Sequence, residues 1–214
     1  KQAVASPEPI PSDLPSQVLV SRGALWPNPS LFISELDGSA EQGLVFGNGN
    51  ISPYYTRLVL SGAVGNLYVM DVATKESIAL TTGGNDRSPF WSADGSQIAF
   101  TRYTDKGANI FVMDNNGQNV RALTDTTDNI TLYGWMPNGR SLIYSLAQPD
   151  GSHIQALDID SSVVQDLMVV HDEASESVSV SPDGKWIAFT DKVTGRMTPG
   201  IFVSRLDNSE KRLI

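Results

Sequence analysis

The chain has 214 residues, enough for one domain with a sizeable core. Hydrophobic residues make up 40% and charged residues 18%, which excludes a disordered chain, and the net charge of −9 argues against nucleic acid or an anionic membrane as partner. There is no cysteine, hence no disulfide and no thiolate chemistry, and no apolar run approaches the roughly 20 residues that cross a bilayer.

The chain begins at Lys1 rather than Met, which is compatible with removal of a targeting or tethering segment. Residues 1–17 carry four prolines, which remove backbone donors and stiffen the chain. Residues 1–8 therefore read as a linker or tail. From residue 9 the chain reads as five units, starting near 9, 49, 89, 133 and 178. Their anchors are Ser12, Ser52, Ser92, Met136 and Ser181, in steps of 40, 40, 44 and 45 residues. Six residues after each anchor a four-residue β-prone run begins, at 18–21, 58–61, 98–101, 142–145 and 187–190, and each run ends in Ser or Thr. The turn two residues after the anchor is Asp94-Gly95, Asn138-Gly139 or Asp183-Gly184 in the last three units. Such pairs predict a type I′ hairpin turn. Leu14-Pro15 and Tyr54-Tyr55 replace them in the first two units, which predicts a different turn there. Positive φ is expected at Gly184, and Gly83 is read as lying in a more permissive inter-unit loop.

A third run follows at 31–33, 67–70, 110–113, 154–157 and 201–203, and a fourth at 77–80, 120–123, 163–164 and 211–214. No stretch shows helical periodicity. Four antiparallel strands in a period of about 40–45 residues predict an all-β fold, a β-propeller of five four-stranded blades over 9–214. The five units close one ring or belong to a larger array. One blade cannot bury both of its faces, so blades stack, and this accounts for strands that are apolar on both sides.

The box Ser-Pro-Asp-Gly-Lys-Trp-Ile-Ala-Phe-Thr at 181–190 resembles the repeat of TolB-type propellers. So do its variant at 89–101, Ile-Phe-Val-Met-Asp at 110–114 and Val-Arg-Ala-Leu-Thr at 120–124. The resemblance covers about 9–214. It implies a protein-binding propeller of the bacterial periplasm or another extracytoplasmic site, such as a sensor domain. Similar repeats occur in the propeller that caps prolyl-oligopeptidase-type hydrolases.

No Gly-x-Ser-x-Gly elbow, P-loop or dinucleotide loop is present. The two histidines, His153 and His171, stand 18 residues apart and do not suggest a zinc site or a catalytic triad. Trp91 and Trp135 precede two of the anchors and read as core. The candidate binding residues are therefore in loops. Inter-blade loops and the loops between second and third strands should ring one mouth. That mouth would hold Trp26, Asp86, Arg87, Tyr103, Asp128, Asn129, Glu173 and Glu176 as binding residues, with no metal site assigned. Its acidic character suits a protein or peptide, in particular a basic one, and Ca²⁺ is the one cofactor it could accommodate. The alternative is a glycoside-active propeller using two carboxylates from Asp86, Asp128, Glu173 and Glu176.

Overall fold

The computed structural model describes residues 17–22, 30–35, 42–46, 49–62, 64–171, 177–193, 199–207 and 209–214. Among these residues there is no helix, so none is long and apolar enough to cross a membrane. The strands form five successive sheets. The first holds β1 (Gln17–Arg22), β2 (Ser30–Glu35) and β3 (Gln42–Phe46). The second holds β4 (Gly49–Ile51), β5 (Arg57–Ser61), β6 (Leu67–Asp71) and β7 (Ser77–Ala79). The third holds β8 (Asn85–Trp91), β9 (Gln97–Thr104), β10 (Gly107–Asp114) and β11 (Arg121–Ala122). The fourth holds β12 (Ile130–Trp135), β13 (Ser141–Gln148), β14 (Gly151–Asp158) and β15 (Val164–Val170). The fifth holds β16 (Val178–Val180), β17 (Trp186–Asp191), β18 (Gly200–Arg205) and β19 (Lys211–Leu213).

Each strand pairs with its sequence neighbour, so every sheet is an up-and-down meander. The β-prone runs fall on the second strands as expected. The first sheet shows three strands, and the expected inner strand of its unit lies outside the described residues. The fourth strand of the fourth unit, expected at 163–164, runs on to Val170.

The chain divides into two compact units, Lys1–Tyr103 with Val112–Arg121, and Thr104–Phe111 with Ala122–Ile214. In the first unit Leu58, Leu60 and Met70 form a core against Ile51, Tyr68 and Val72. In the second, Ile143, Ile154 and Ala156 of the fourth sheet pack with Ile187 and Phe189 of the fifth. Cores of this kind need apolar residues on both faces of a sheet. Ile98, Ala99 and Phe100 are consecutive on β9 and all fully buried.

The anchor box is a hydrogen-bonded turn. Ser181 Oγ donates to Asp183 Oδ1 at 2.6 Å and accepts the Trp186 N–H at 2.9 Å. The Gly184 N–H returns to the Ser181 carbonyl at 2.8 Å, and the Ser181 N–H reaches the Trp186 carbonyl at 2.9 Å. Ser92 and Asp94 repeat the same bonds around Gly95. Met136 has no hydroxyl, and there Asn138 Oδ1 accepts the N–H groups of Arg140 and Ser141. Type I′ turns are not formed. Only the glycine has positive φ (+67° to +68°), which is the pattern of a turn closed by one left-handed residue.

Two further expectations need correction. The second unit does not use a different turn: Tyr55 stands in the glycine place at φ 59°, with the same bond to the Ser52 carbonyl at 2.9 Å. Gly83 is not conformationally free either, since its φ is +70°.

Candidate functional site

The ends of the sheets opposite the anchor turns are built from two kinds of segment, and in each unit the two meet. In the first unit the Asp86 N–H donates to the Gly65 carbonyl at 2.7 Å, joining the inter-sheet segment to the loop before β6. In the second, a Cβ on Gly107 would lie 3.1 Å from the Thr127 carbonyl oxygen, and one on Gly151 2.7 Å from that of Val170. The His171 N–H donates to Asp191 Oδ1 at 2.9 Å. The loops expected to share one end of the blades therefore do so within each unit.

In the first unit the structure brings Asp86, Arg87 and Tyr103 together, on paired strand ends rather than on loops. Asp86 faces Arg102 across β8 and β9, and Asn85 faces Tyr103. Asp86 is fully buried, and its carboxylate receives Arg102 Nε at 2.6 Å and Nη2 at 2.9 Å. This bidentate pairing raises the Arg102 guanidinium further above its ordinary value. A Cβ on Gly84 would sit 2.8 Å from both Asp86 oxygens, so a glycine there leaves room for the carboxylate. Arg87 is exposed. Its Nε donates to Asn85 Oδ1 at 3.1 Å, and its guanidinium lies 5.7 Å from the centre of the half-open Tyr103 ring. The Asp86 charge is thus neutralised locally, and the surface shown here is arginine and tyrosine rather than bare carboxylate. Arg102 was not among the sequence candidates, although its place opposite Asp86 follows from the strand pairing.

In the second unit Asp128 and Asn129 stand exposed just before β12. Asp128 Oδ2 accepts from Thr126 Oγ1 at 3.1 Å, and the Asn129 carbonyl accepts the Ala147 N–H at 3.0 Å. The two histidines, distant in sequence, come near one carboxylate. His153 Nε2 lies 3.0 Å from Asp150 Oδ1, and this bond, aided by His171, holds Asp150 below the usual carboxylate range. A cleft of about 290 Å³ beside them is lined by Gln148, Asp150, Ser152 and His171. Among the described residues no three His, Cys, Asp or Glu side chains form a group that could hold a metal ion. Trp26, Glu173 and Glu176 lie outside the described residues. Trp91 is buried, in keeping with a core role, and Trp135 is half-buried.

Comparison with known proteins supplies the family. The chain is 31% identical over 120 residues to the uncharacterised protein Atu1656 of Agrobacterium fabrum, matching 55% of this chain and 39% of that protein. It is 28% identical over 91 residues to the uncharacterised peptidase YuxL of Bacillus subtilis, matching 42% of this chain and 14% of that one. The chain thus spans well under two thirds of either relative. The crystal structure of TolB from Acinetobacter baumannii superposes with a TM-score of 0.72 at 18% identity, over 86% of this chain and 48% of that chain. The model of the TolB beta propeller domain matches residues 28–213, nearly the whole chain, and the chain belongs to that family.

Proposed function

We propose that this chain is a non-catalytic binding module that engages a protein or peptide through the sheet ends opposite the anchor turns, at an extracytoplasmic site. The carrying observation is the exposed Arg87–Tyr103 pair, on strand ends whose other face carries the Asp86–Arg102 bridge. Tyrosine and arginine are over-represented among residues that dominate interface energy. Here both are exposed yet held in place, so little side-chain freedom is lost on binding. A segment carrying a carboxylate beside an apolar group fits this part of the surface. The exposed Asp125, Asp128 and Asn129 of the second unit suit a basic segment. Trp26, Glu173 and Glu176 remain candidates on sequence grounds. The periplasmic or extracytoplasmic location rests on the resemblance of the repeat.

A second reading is favoured by the match to YuxL: a propeller that caps a peptidase. In that case the same surface would meet substrate or the hydrolase, and the bond-breaking groups would belong to the other domain.

Peptides selected from a random display library on the immobilised chain provide the test. Tyr103→Ala should weaken their binding by about tenfold or more, and Arg87→Glu should do likewise. Lys185→Glu, beside the anchor turn at the opposite end of its sheet, should leave it unchanged. If Lys185→Glu abolishes binding and Tyr103→Ala does not, the site is at the wrong end. Asp86 is unsuitable as a probe because its substitution would perturb folding.

A further inference from the structure

We propose that the cleft at the tip of the β13–β14 hairpin receives one lysine side chain of a bound peptide. This rests on the peptide-binding reading above and gives the second unit an anchor of its own. The cleft, of about 290 Å³, is lined by residues 147–152 together with Val170 and His171. All of them belong to the second unit, at the end of the fourth sheet opposite its anchor turn.

The repeat itself shows what is unusual here. Gly107 and Gly151 open β10 and β14, and two residues later each strand carries a polar side chain, Asn109 or His153. Asn109 is engaged with its own chain. Its Oδ1 accepts Thr124 Oγ1 and the Thr126 N–H, both at 2.9 Å, and its Nδ2 donates to the Thr126 carbonyl at 3.1 Å. These bonds tie the segment after β11 to the start of β10. Among the described residues His153 makes no such tie. Its Nε2 lies instead 3.0 Å from Asp150 Oδ1, and the segment after β15 is held by the His171 N–H on Asp191. The residue before the glycine changes sign as well, from Lys106 in the third sheet to Asp150 in the fourth.

The outcome is a carboxylate oriented by a histidine at the edge of a cleft. The His153 bond holds Asp150 below the usual carboxylate range, so it is ionised at neutral pH. Its Oδ2 and the side chains of Gln148 and Ser152 have no hydrogen-bond partner among the described residues. An ammonium group carries three donors on a slim four-carbon stem. Asp150 Oδ2, the Gln148 amide oxygen and the Ser152 hydroxyl are acceptors of the kind it needs, and Ala147, Pro149 and Val170 offer carbon surface to the stem. Arginine is less suited, because its planar fork pairs best with both oxygens of a carboxylate and His153 already takes one of them. An anion would meet the Asp150 charge, and the net charge of −9 likewise favours a cation.

The probe is a capped peptide, acetyl-Gly-Lys-Gly-amide, titrated into the isotope-labelled 214-residue chain while backbone amide shifts are read by NMR. Shifts should concentrate at Gly151, Ser152 and His171. Asp150→Asn, at an exposed hairpin tip, should leave the unliganded spectrum elsewhere unchanged and weaken binding about fivefold or more. Acetylating the lysine removes its charge and should abolish the shifts. Exchanging it for arginine should weaken them. The proposal is overturned if the acetylated peptide gives the same shifts, or if Asp150→Asn binds as the parent does. Shifts at Asp125, Asp128 and Asn129 instead, or none up to about 10 mM peptide, would overturn it too. A lysine-free peptide with an uncapped amino terminus supplies the other source of ammonium, and equal shifts from it would overturn the assignment to a side chain. The peptide-binding reading is judged separately, by the Tyr103 and Arg87 variants on library peptides. Loss of binding there without shifts here overturns only the lysine cleft, and shifts here with unaltered library binding support the cleft against that reading.

Discussion

Asp191 shows how a single carboxylate ties together the end of a sheet. It is almost fully buried, which alone would raise its pKa. Hydrogen bonds from Lys211 Nζ at 2.8 Å and from the N–H groups of His171 and Lys192 outweigh burial and hold it below the ordinary carboxylate range. The sign of the linkage follows. A carboxylate whose pKa is lower folded than unfolded stabilises the fold at pH values above its unfolded pKa, about 3.9, and that stabilisation is lost as pH falls through the folded value. Asp191→Asn should therefore lower the urea midpoint near neutrality, and its deficit against the parent should shrink as pH drops below about 4. A deficit that stays constant or widens in acid would contradict this account. Asp86 is different in function but similar in construction. Its burial against Arg102 makes it a local cross-strand partner rather than a solvent-facing charge.

At the scale of the element, the anchor hairpin is the repeated device. A serine hydroxyl accepts one N–H and donates to an aspartate, that aspartate accepts a second N–H, and a left-handed residue closes the turn. Glycine occupies that last place at 95, 139 and 184, where an L side chain would be strained. Tyr55 bears that strain at φ 59° and is itself 43% exposed, so little packing is lost with its ring. Tyr55→Gly should raise stability by about 0.5–1 kcal/mol, since relief of left-handed strain, about 1–2 kcal/mol, exceeds the added freedom of the unfolded chain. Chemical denaturation measures it directly, and a lower midpoint for the variant would show that the tyrosine ring contributes more than its backbone costs.

At the scale of the whole molecule, the fourth and fifth sheets share a buried core. Phe189 is 2% exposed in the core it shares with the fourth sheet, and stacks on Phe202 with ring centres 5.9 Å apart. Lys211 Nζ lies 5.1 Å and 4.7 Å from the centres of the same two rings. Phe189→Ala should cost about 3–5 kcal/mol. Ile201→Ala, on the opposite face of the same sheet, should cost less than about 1 kcal/mol in the 214-residue chain. Equal losses from the two variants, compared by thermal or urea unfolding, would mean that both faces are equally packed.

The sequence by itself determined the class of fold and the place of its strands. The period of 40–45 residues, the recurring β-prone runs and the Asp-Gly and Asn-Gly turns are local signals, and local signals survive without knowledge of what packs against them. The turn type was less legible, because the serine that completes the hydrogen-bond set also occurs in ordinary loops, and nothing in Tyr54-Tyr55 announces a left-handed residue. The charge of the candidate surface was decided only by tertiary structure. Asp86 counts as acidic in any reading of the chain, and only the cross-strand pairing with Arg102, 16 residues on, removes its charge from the surface. The same holds for His171, which the pairing of β14 with β15 carries to the Asp150–His153 hairpin tip.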